Sequence, residues 1–187
     1  MQLGEIAKIQ FGLYTQPEDA GNTAYLQAKH FDEWNRVTSP LDTFINIDNK
    51  SKGHLLKDGD ILLVGKGFRT FAWTYGEAIG PAVASSIFFV IRPDRKRVLP
   101  EFLTLIFNAP QTQSYFHTLG AGSSIPSIRK SELEAFPVAL PPVEVQQKAI
   151  EIKKLHDHDV ELSSRVMAEK KRLFQAITQN LIYQHNG

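Results

Sequence analysis

Two periodicities divide this chain. Before residue 143 the apolar residues come in short runs closed by Gly, Pro or Asp, whereas after it they recur three and four apart with no internal breaker. In the first part, Asp60-Ile-Leu-Leu-Val64 follows the turn signal Lys57-Asp58-Gly59, and Ser86-Ile-Phe-Phe-Val-Ile91 ends at Arg92-Pro93. Such short, bounded runs predict buried strands. Phe44-Ile-Asn-Ile-Asp48 and Thr70-Phe-Ala-Trp-Thr-Tyr75 predict further strands, because aromatic and β-branched side chains suit a pleated surface. Residues 100–107, opened by Pro100 and followed by Pro110, predict a short helix. Residues 111–119 predict a second, and Ser131-Glu-Leu-Glu one further turn.

The last part predicts a single long helix over residues 143–187, rich in Ala, Glu, Lys, Gln, Leu and Ile and entered through Pro141-Pro142. Ile152, Leu155, Asp159, Leu162, Val166, Glu169, Leu173, Ala176 and Asn180 form a 3,4-spaced seam, apolar except at Asp159, Glu169 and Asn180. A second apolar line through Ala149, Val160, Met167, Phe174, Ile177 and Leu181 broadens it beyond a strict two-stranded seam. Some 40 helical residues extend roughly 60 Å, so the stripe calls for a partner: a second helix, or the chain's own domain if the helix folds back. The fold class predicted is α+β, a strand-rich mixed domain over residues 1–142 followed by one long C-terminal α-helix over 143–187 acting as a coiled-coil spacer.

Composition narrows the functional classes. At 187 residues with 42% hydrophobic content, the chain can bury a real core. Lys and Arg number 21 against 20 Asp and Glu, a formal charge of +1, so any polyanionic partner requires a local basic face. Cysteine is absent, which excludes disulfides, thiolate metal sites and thiol nucleophiles. The first residues lack the apolar core of a secretory signal, and no run reaches the roughly 18–20 apolar residues of a membrane span. A cytoplasmic protein with no membrane partner is expected.

No catalytic motif is legible. Gly65-Lys66-Gly67 lacks the four-residue spacing and the Ser or Thr of a Walker loop, and Gly120-Ala-Gly122 lacks the third glycine of a dinucleotide site. His156 and His158 lie about 200° apart on the predicted helix and cannot share one metal. His30, His54, His117 and His185 have no ligand spacing, so no metal site is expected.

The informative pattern is an ordered series of phrases: Leu3-Gly-Glu-Ile-Ala-Lys-Ile-Gln-Phe-Gly12, Tyr25-Leu-Gln-Ala-Lys-His-Phe31, Leu56-Lys-Asp-Gly-Asp-Ile-Leu-Leu-Val-Gly-Lys-Gly67, Ala84-Ser-Ser-Ile-Phe-Phe-Val-Ile-Arg-Pro93, Gly122-Ser-Ser-Ile-Pro-Ser-Ile128, and Phe136-Pro-Val-Ala-Leu-Pro-Pro-Val-Glu-Val-Gln-Gln-Lys-Ala-Ile150. In this order the chain resembles one repeat of the DNA-specificity (S) subunit of type I restriction-modification systems. The last phrase carries most of the resemblance, and the Gly-Asp-Ile-Leu strand with its glycine turn is the second marker. The chain departs from the family where Gly-Thr-Pro often follows the first strand, and where Glu144-Val-Gln-Gln147 stands for a Glu-Gln pair.

The resemblance implies a noncatalytic target-recognition domain that reads a half-site in double-stranded DNA, joined to a spacer helix. It implies a modification (methyltransferase) subunit and a restriction subunit as partners, with S-adenosylmethionine on the methyltransferase and no cofactor here. A half-length form is expected to homodimerise, or to pair with another half-subunit, through Ile152, Leu155, Leu162, Val166, Leu173, Ile177 and Leu181. Readings from other classes are a structural coiled-coil adaptor with a protein-binding globular part, or the recognition module of a fused restriction enzyme.

Candidate DNA contacts follow from the chemistry of base edges and phosphates. Lys66 and Arg69 sit on the glycine-containing turn after the Asp60-Ile-Leu-Leu-Val64 strand. Lys29, His30, Asn35 and Arg36 form a second cluster, and Ser123, Ser124 and Arg129 a third. Arg92, Arg95, Lys96 and Arg97, the densest basic run, read as a solvated turn or a phosphate contact.

Overall fold

The computed structural model describes residues 1–38, 40–49, 51–119 and 124–183. Its strands are β1 (Ala7–Phe11), β2 (Thr23–Leu26), β3 (Phe44–Ile45), β4 (Ile61–Val64), β5 (Ala72–Thr74), β6 (Ala82–Ala84) and β7 (Phe88–Pro93), and its α-helices are α1 (Pro100–Asn108), α2 (Pro110–Leu119), α3 (Lys130–Glu134) and α4 (Val143–Tyr183). The chain divides into two compact units, Met1–Gln147 and Lys148–Gly187.

The two apolar runs after Asp60 and Ser86 become β4 and β7, which pair antiparallel at the centre of a four-stranded sheet ordered β1-β7-β4-β5. Their continuous hydrophobicity has a direct cause, since both faces of the sheet are covered. Ile61, Leu63, Phe89 and Ile91 face one core with Leu103 and Phe107 of α1, Phe116 of α2 and Leu133 of α3. Leu62, Val64, Phe88 and Val90 face the other with Ala24 and Leu26 of β2 and Ala82 and Ala84 of β6. Alternation of successive side chains thus splits one apolar run between two cores.

A smaller sheet, ordered β3-β2-β6, lies over that second face, with β2 antiparallel to β3 and parallel to β6. The predicted strand at Phe44-Ile-Asn-Ile-Asp48 is ordered into a ladder only over Phe44 and Ile45. Beyond them, the Ser51 amide and hydroxyl bond to Asp48, which turns the chain away. The three predicted short helices form α1, α2 and α3.

Within the basic run around Pro93, Arg95, Lys96 and Arg97 are exposed as a solvated turn would have them, whereas Arg92 is half-buried and tied into the fold. Arg92 donates through Nε and Nη2 to the two carboxylate oxygens of fully buried Asp60, at 2.7 and 2.5 Å. Asp60 also accepts from the Lys57 amide at 2.8 Å, which closes the turn before β4. Arg95 pairs with Asp58 at 2.9 Å, and Arg97 donates to the Glu5 carbonyl at 2.7 Å.

The first turn of α4 belongs to the first unit through Gln146, whose side chain is fully buried. Its Oε1 accepts from the Leu99 amide at 2.9 Å, while Nε2 donates to the carbonyls of Pro141 at 2.9 Å and Arg97 at 3.2 Å. The composition changes after Pro142, but this amide carries the first unit's packing on to Gln147. Among the described residues no helix is long and apolar enough to cross a membrane.

Candidate nucleic-acid interface

The link between β4 and β5, residues 65–71, is held on two sides by parts of the chain far away in sequence. On one side it is stitched by main-chain bonds alone: Gly67 N–H donates to Pro126 O at 2.9 Å, Ile128 N–H to Gly65 O at 2.8 Å, and Lys66 faces Ser127 in an antiparallel bridge. Two glycines make this possible. A Cβ at Gly65 would lie 2.3 Å from the Phe89 ring, and Gly67 has φ 136°, a left-handed-side conformation that side chains disfavour.

On the other side, Arg69 reaches the turn that follows Phe31. Its guanidinium lies 4.7 Å from the centroid of the Phe71 ring, donates to the carbonyls of Phe31 at 3.4 Å and of Asp32, and meets Asn35 Oδ1 at 2.5 Å. Asp32 builds that turn from within, because Oδ1 accepts the Trp34 and Arg36 amides at 2.9 and 2.8 Å and Oδ2 accepts Arg36 Nε at 2.9 Å. Partial burial raises the Asp32 pKa, but the Arg36 amide and guanidinium and the Trp34 amide outweigh it and hold the carboxyl below its ordinary value. Asn35 closes the turn at φ 61°, a conformation Asn tolerates.

Two of the three predicted clusters therefore meet directly, and the third adjoins them through residues 126–128. Lys66, Arg69, Arg36, Ser124 and Arg129 are exposed on this surface. Ser123 lies outside the described residues. Arg69 does more than present charge, since its donors are directed to the neighbouring turn and fix where Trp34 and Asn35 stand. Arg129 is exposed, and its amide donates to Glu132 at 2.8 Å as α3 begins.

Lys29 and His30 are placed differently from the rest. His30 is buried at 3% exposure, its Nδ1 accepts the Gln27 amide at 3.0 Å, and Nε2 is left to donate to Asp42 at 2.8 Å and Thr43 Oγ1 at 3.1 Å. With both ring nitrogens engaged inside the fold, His30 organises the loop and offers no edge to a ligand. Lys29 pairs with Asp42 at 2.9 Å. Its ammonium, with the Thr43 hydroxyl and the His30 ring, holds the Asp42 carboxyl well below the usual carboxylate range.

Charge also sorts by segment. Residues 61–76 and 102–131 contain no Asp or Glu, yet they carry Lys66, Arg69, Arg129 and Lys130. These carboxylate-free segments are the ones joined at the Lys66–Ser127 bridge. Lys130 pairs with Glu134 at 3.5 Å and Arg69 is engaged with carbonyls, while among the described residues Lys66 and Arg129 have no carboxylate partner, a local cationic surface that suits an electrostatic footprint for phosphates. Sequence reasoning missed two members of it, Phe68 and Trp34, because it searched for hydrogen-bonding groups; the available signal was an aromatic residue between Lys66 and Arg69.

The second unit carries the other candidate surface. Ile152, Leu155, Leu162, Val166, Leu173, Ile177 and Leu181 are all exposed, from 46% at Leu162 to 71% at Leu155. At 3.6 residues per turn they fall within an arc of about 100° on α4. Val160, Met167 and Phe174 widen the apolar sector to roughly 160°. The opposite face carries ion pairs, Lys153 with Asp157, Arg165 with Glu161 at 2.6 Å and Arg172 with Glu169 at 2.7 Å.

Comparison with known proteins gives consistent results. Residues 1–169 match the family model described as "Type I restriction modification DNA specificity domain". A curated relative is the type I restriction enzyme HindI specificity subunit of Haemophilus influenzae, 31% identical over 97 residues, a stretch covering 51% of this chain and 21% of that protein. Among solved structures, an HsdS subunit from Thermoanaerobacter tengcongensis aligns with TM-score 0.61 at 20% identity, covering 96% of this chain and 43% of that one. A type I restriction-modification S subunit from M. genitalium aligns with TM-score 0.63 at 12% identity, covering 97% and 44% respectively. The chain spans less than half the length of each of these relatives.

Proposed function

Because this chain belongs to the family of type I restriction modification DNA specificity domains, we propose that it is a noncatalytic sequence reader, recognising a half-site in double-stranded DNA for a methyltransferase partner. The observation that carries this reading is the convergence of residues 31–36, 65–70 and 124–129 into one surface whose uncompensated cations are Lys66 and Arg129. In this reading Lys66 and Arg129 hold phosphates, and Asn35, Arg36 and Ser124 present donors and acceptors to base edges. Arg69 is a positioning residue that acts through the turn it grips.

The apolar sector of α4 supports a second role. A symmetric pair of such helices would bury it and set two recognition units in opposite orientations, so that the DNA target becomes two inverted half-sites with a gap. A sector of roughly 160° is wider than a two-stranded seam needs, which supports further docking of a modification subunit on the same helices. Methyl transfer, S-adenosylmethionine binding and cleavage then belong to the modification and restriction subunits, and the assembly works in the cytoplasm.

The test is to express the chain with a type I modification subunit and read the methylated bases of the host chromosome. The expected result is a single bipartite motif with inverted half-sites. Methylation that shows no sequence preference, or a preference unchanged when Lys66, Asn35 and Arg129 are all replaced by Ala, would overturn the assignment. Binding of that subunit without any effect on its DNA choice would point instead to an adaptor.

A further inference from the structure

Phe68 is 76% exposed, although phenylalanine is among the residues most often buried. Its exposure is not a consequence of a loose loop. The residue before it is bonded through its main chain to Pro126, and the residue after it grips the Phe31 and Asp32 carbonyls and Asn35. The ring is therefore held outward by a built turn. Lys66 and Arg69 flank it, and no carboxylate occurs in residues 61–76.

A cationic surface fits a polyanion, and an apolar ring at its centre needs apolar surface on that polyanion. Duplex DNA offers this in two places: the C5 methyl group of a pyrimidine in the major groove, and base faces exposed by unstacking. Unstacking requires the duplex to be deformed, whereas the methyl group is accessible in undistorted DNA. Building on the half-site reading above, we propose that Phe68 is a specificity-determining residue that packs against the C5 methyl of one thymine in each half-site. Lys66, two residues earlier, anchors the adjoining phosphate.

The experiment uses the full chain assembled with its modification subunit and a duplex carrying the motif found by methylation sequencing. Each thymine of the half-site, on either strand, is replaced in turn by deoxyuridine, which removes only the methyl group. One position is expected to lose about 4-fold in affinity, the effect of one buried methyl. Phe68→Ala should lose at least as much on the thymine duplex and show no further loss with deoxyuridine. Phe68→Leu should retain part of the discrimination, and both variants should keep the wild-type thermal midpoint because the ring is exposed. The inference fails if no thymine position is methyl-sensitive, if the half-site has no thymine on either strand, or if Phe68→Ala remains fully sensitive to deoxyuridine. It also fails if 2-aminopurine beside the contact brightens with the wild type and not with Phe68→Ala, since that marks a wedge. A wild-type assembly with no sequence preference would overturn the half-site reading itself, an outcome distinct from selective binding that ignores the methyl group.

Discussion

Replacing Gln146 tests how the first turn of α4 is fastened to the first unit. Its side chain is fully buried and serves three backbone groups, the Leu99 amide and the Pro141 and Arg97 carbonyls. Gln146→Leu keeps most of the volume and removes all three bonds. The Leu99 amide then has a cost of about 1–3 kcal/mol as an unsatisfied buried donor, with each carbonyl adding roughly 1 kcal/mol. Removing the desolvated amide returns about 1 kcal/mol, leaving a net loss of about 2–4 kcal/mol from a stability typically of 5–15. Gln146→Glu keeps the acceptor for Leu99 but aims a carboxylate at two carbonyl oxygens, so it should be worse at neutral pH. Its folded-state pKa would be raised, so the added penalty is absent below the unfolded value of about 4.3 and grows as pH rises through it. Urea unfolding followed by tryptophan fluorescence at one fixed protein concentration measures both variants. Leu within about 0.5 kcal/mol of wild type, or Glu as stable as Leu at pH 7, would refute the reasoning.

Asp60→Ala should destabilise the first unit by about 3–5 kcal/mol, because it strands the Arg92 guanidinium and the Lys57 amide beside a buried site, and the same unfolding experiment checks it. The depressed Asp42 carboxyl predicts a local acid transition: its support is present above the unfolded value of about 4 and is lost as pH falls through the lower folded value. Faster exchange of the Gln27 amide in acid, abolished by Asp42→Asn, is the expected NMR signature. Leu155→Asp combined with Leu162→Asp should render the chain monomeric in sedimentation equilibrium while leaving the far-ultraviolet circular dichroism of the first unit intact. Lys66→Ala should weaken DNA binding across all sequences and lower the salt-dependence exponent by about 1.

How much of this was legible depended on whether the cause was local. β4 and β7 could be read because burial on both faces makes each an unbroken apolar run closed by breakers. β6, with Ala82-Val83-Ala84, carries no such signal, since its side chains are small and its place is set by pairing alongside β2. The long helix was evident from composition and spacing alone. At the candidate interface the residue types were readable but not their arrangement, because the three clusters meet through bonds between residues 31–36, 65–70 and 126–128. For the same reason Arg92 looked solvated in sequence, its partner Asp60 standing in the turn before β4, and His30 looked available although Asp42 and Thr43 enclose it. Phe68 and Trp34 escaped notice because the search was for hydrogen-bonding groups, although both stand among polar and charged neighbours where an exposed aromatic was readable.

The main-chain stitching between residues 65–67 and 126–128 has a consequence for how such a surface changes over time. None of those bonds depends on the side chain at Lys66, Phe68 or Ser127. Substitutions there alter what meets a ligand without dismantling the support beneath it, so new preferences can be sampled at little cost in folding. Arg69 and Asp32 are the opposite case, because their side chains are the support. Variation along this surface should therefore be uneven, free where backbone holds the turn and restricted where a guanidinium or carboxylate does.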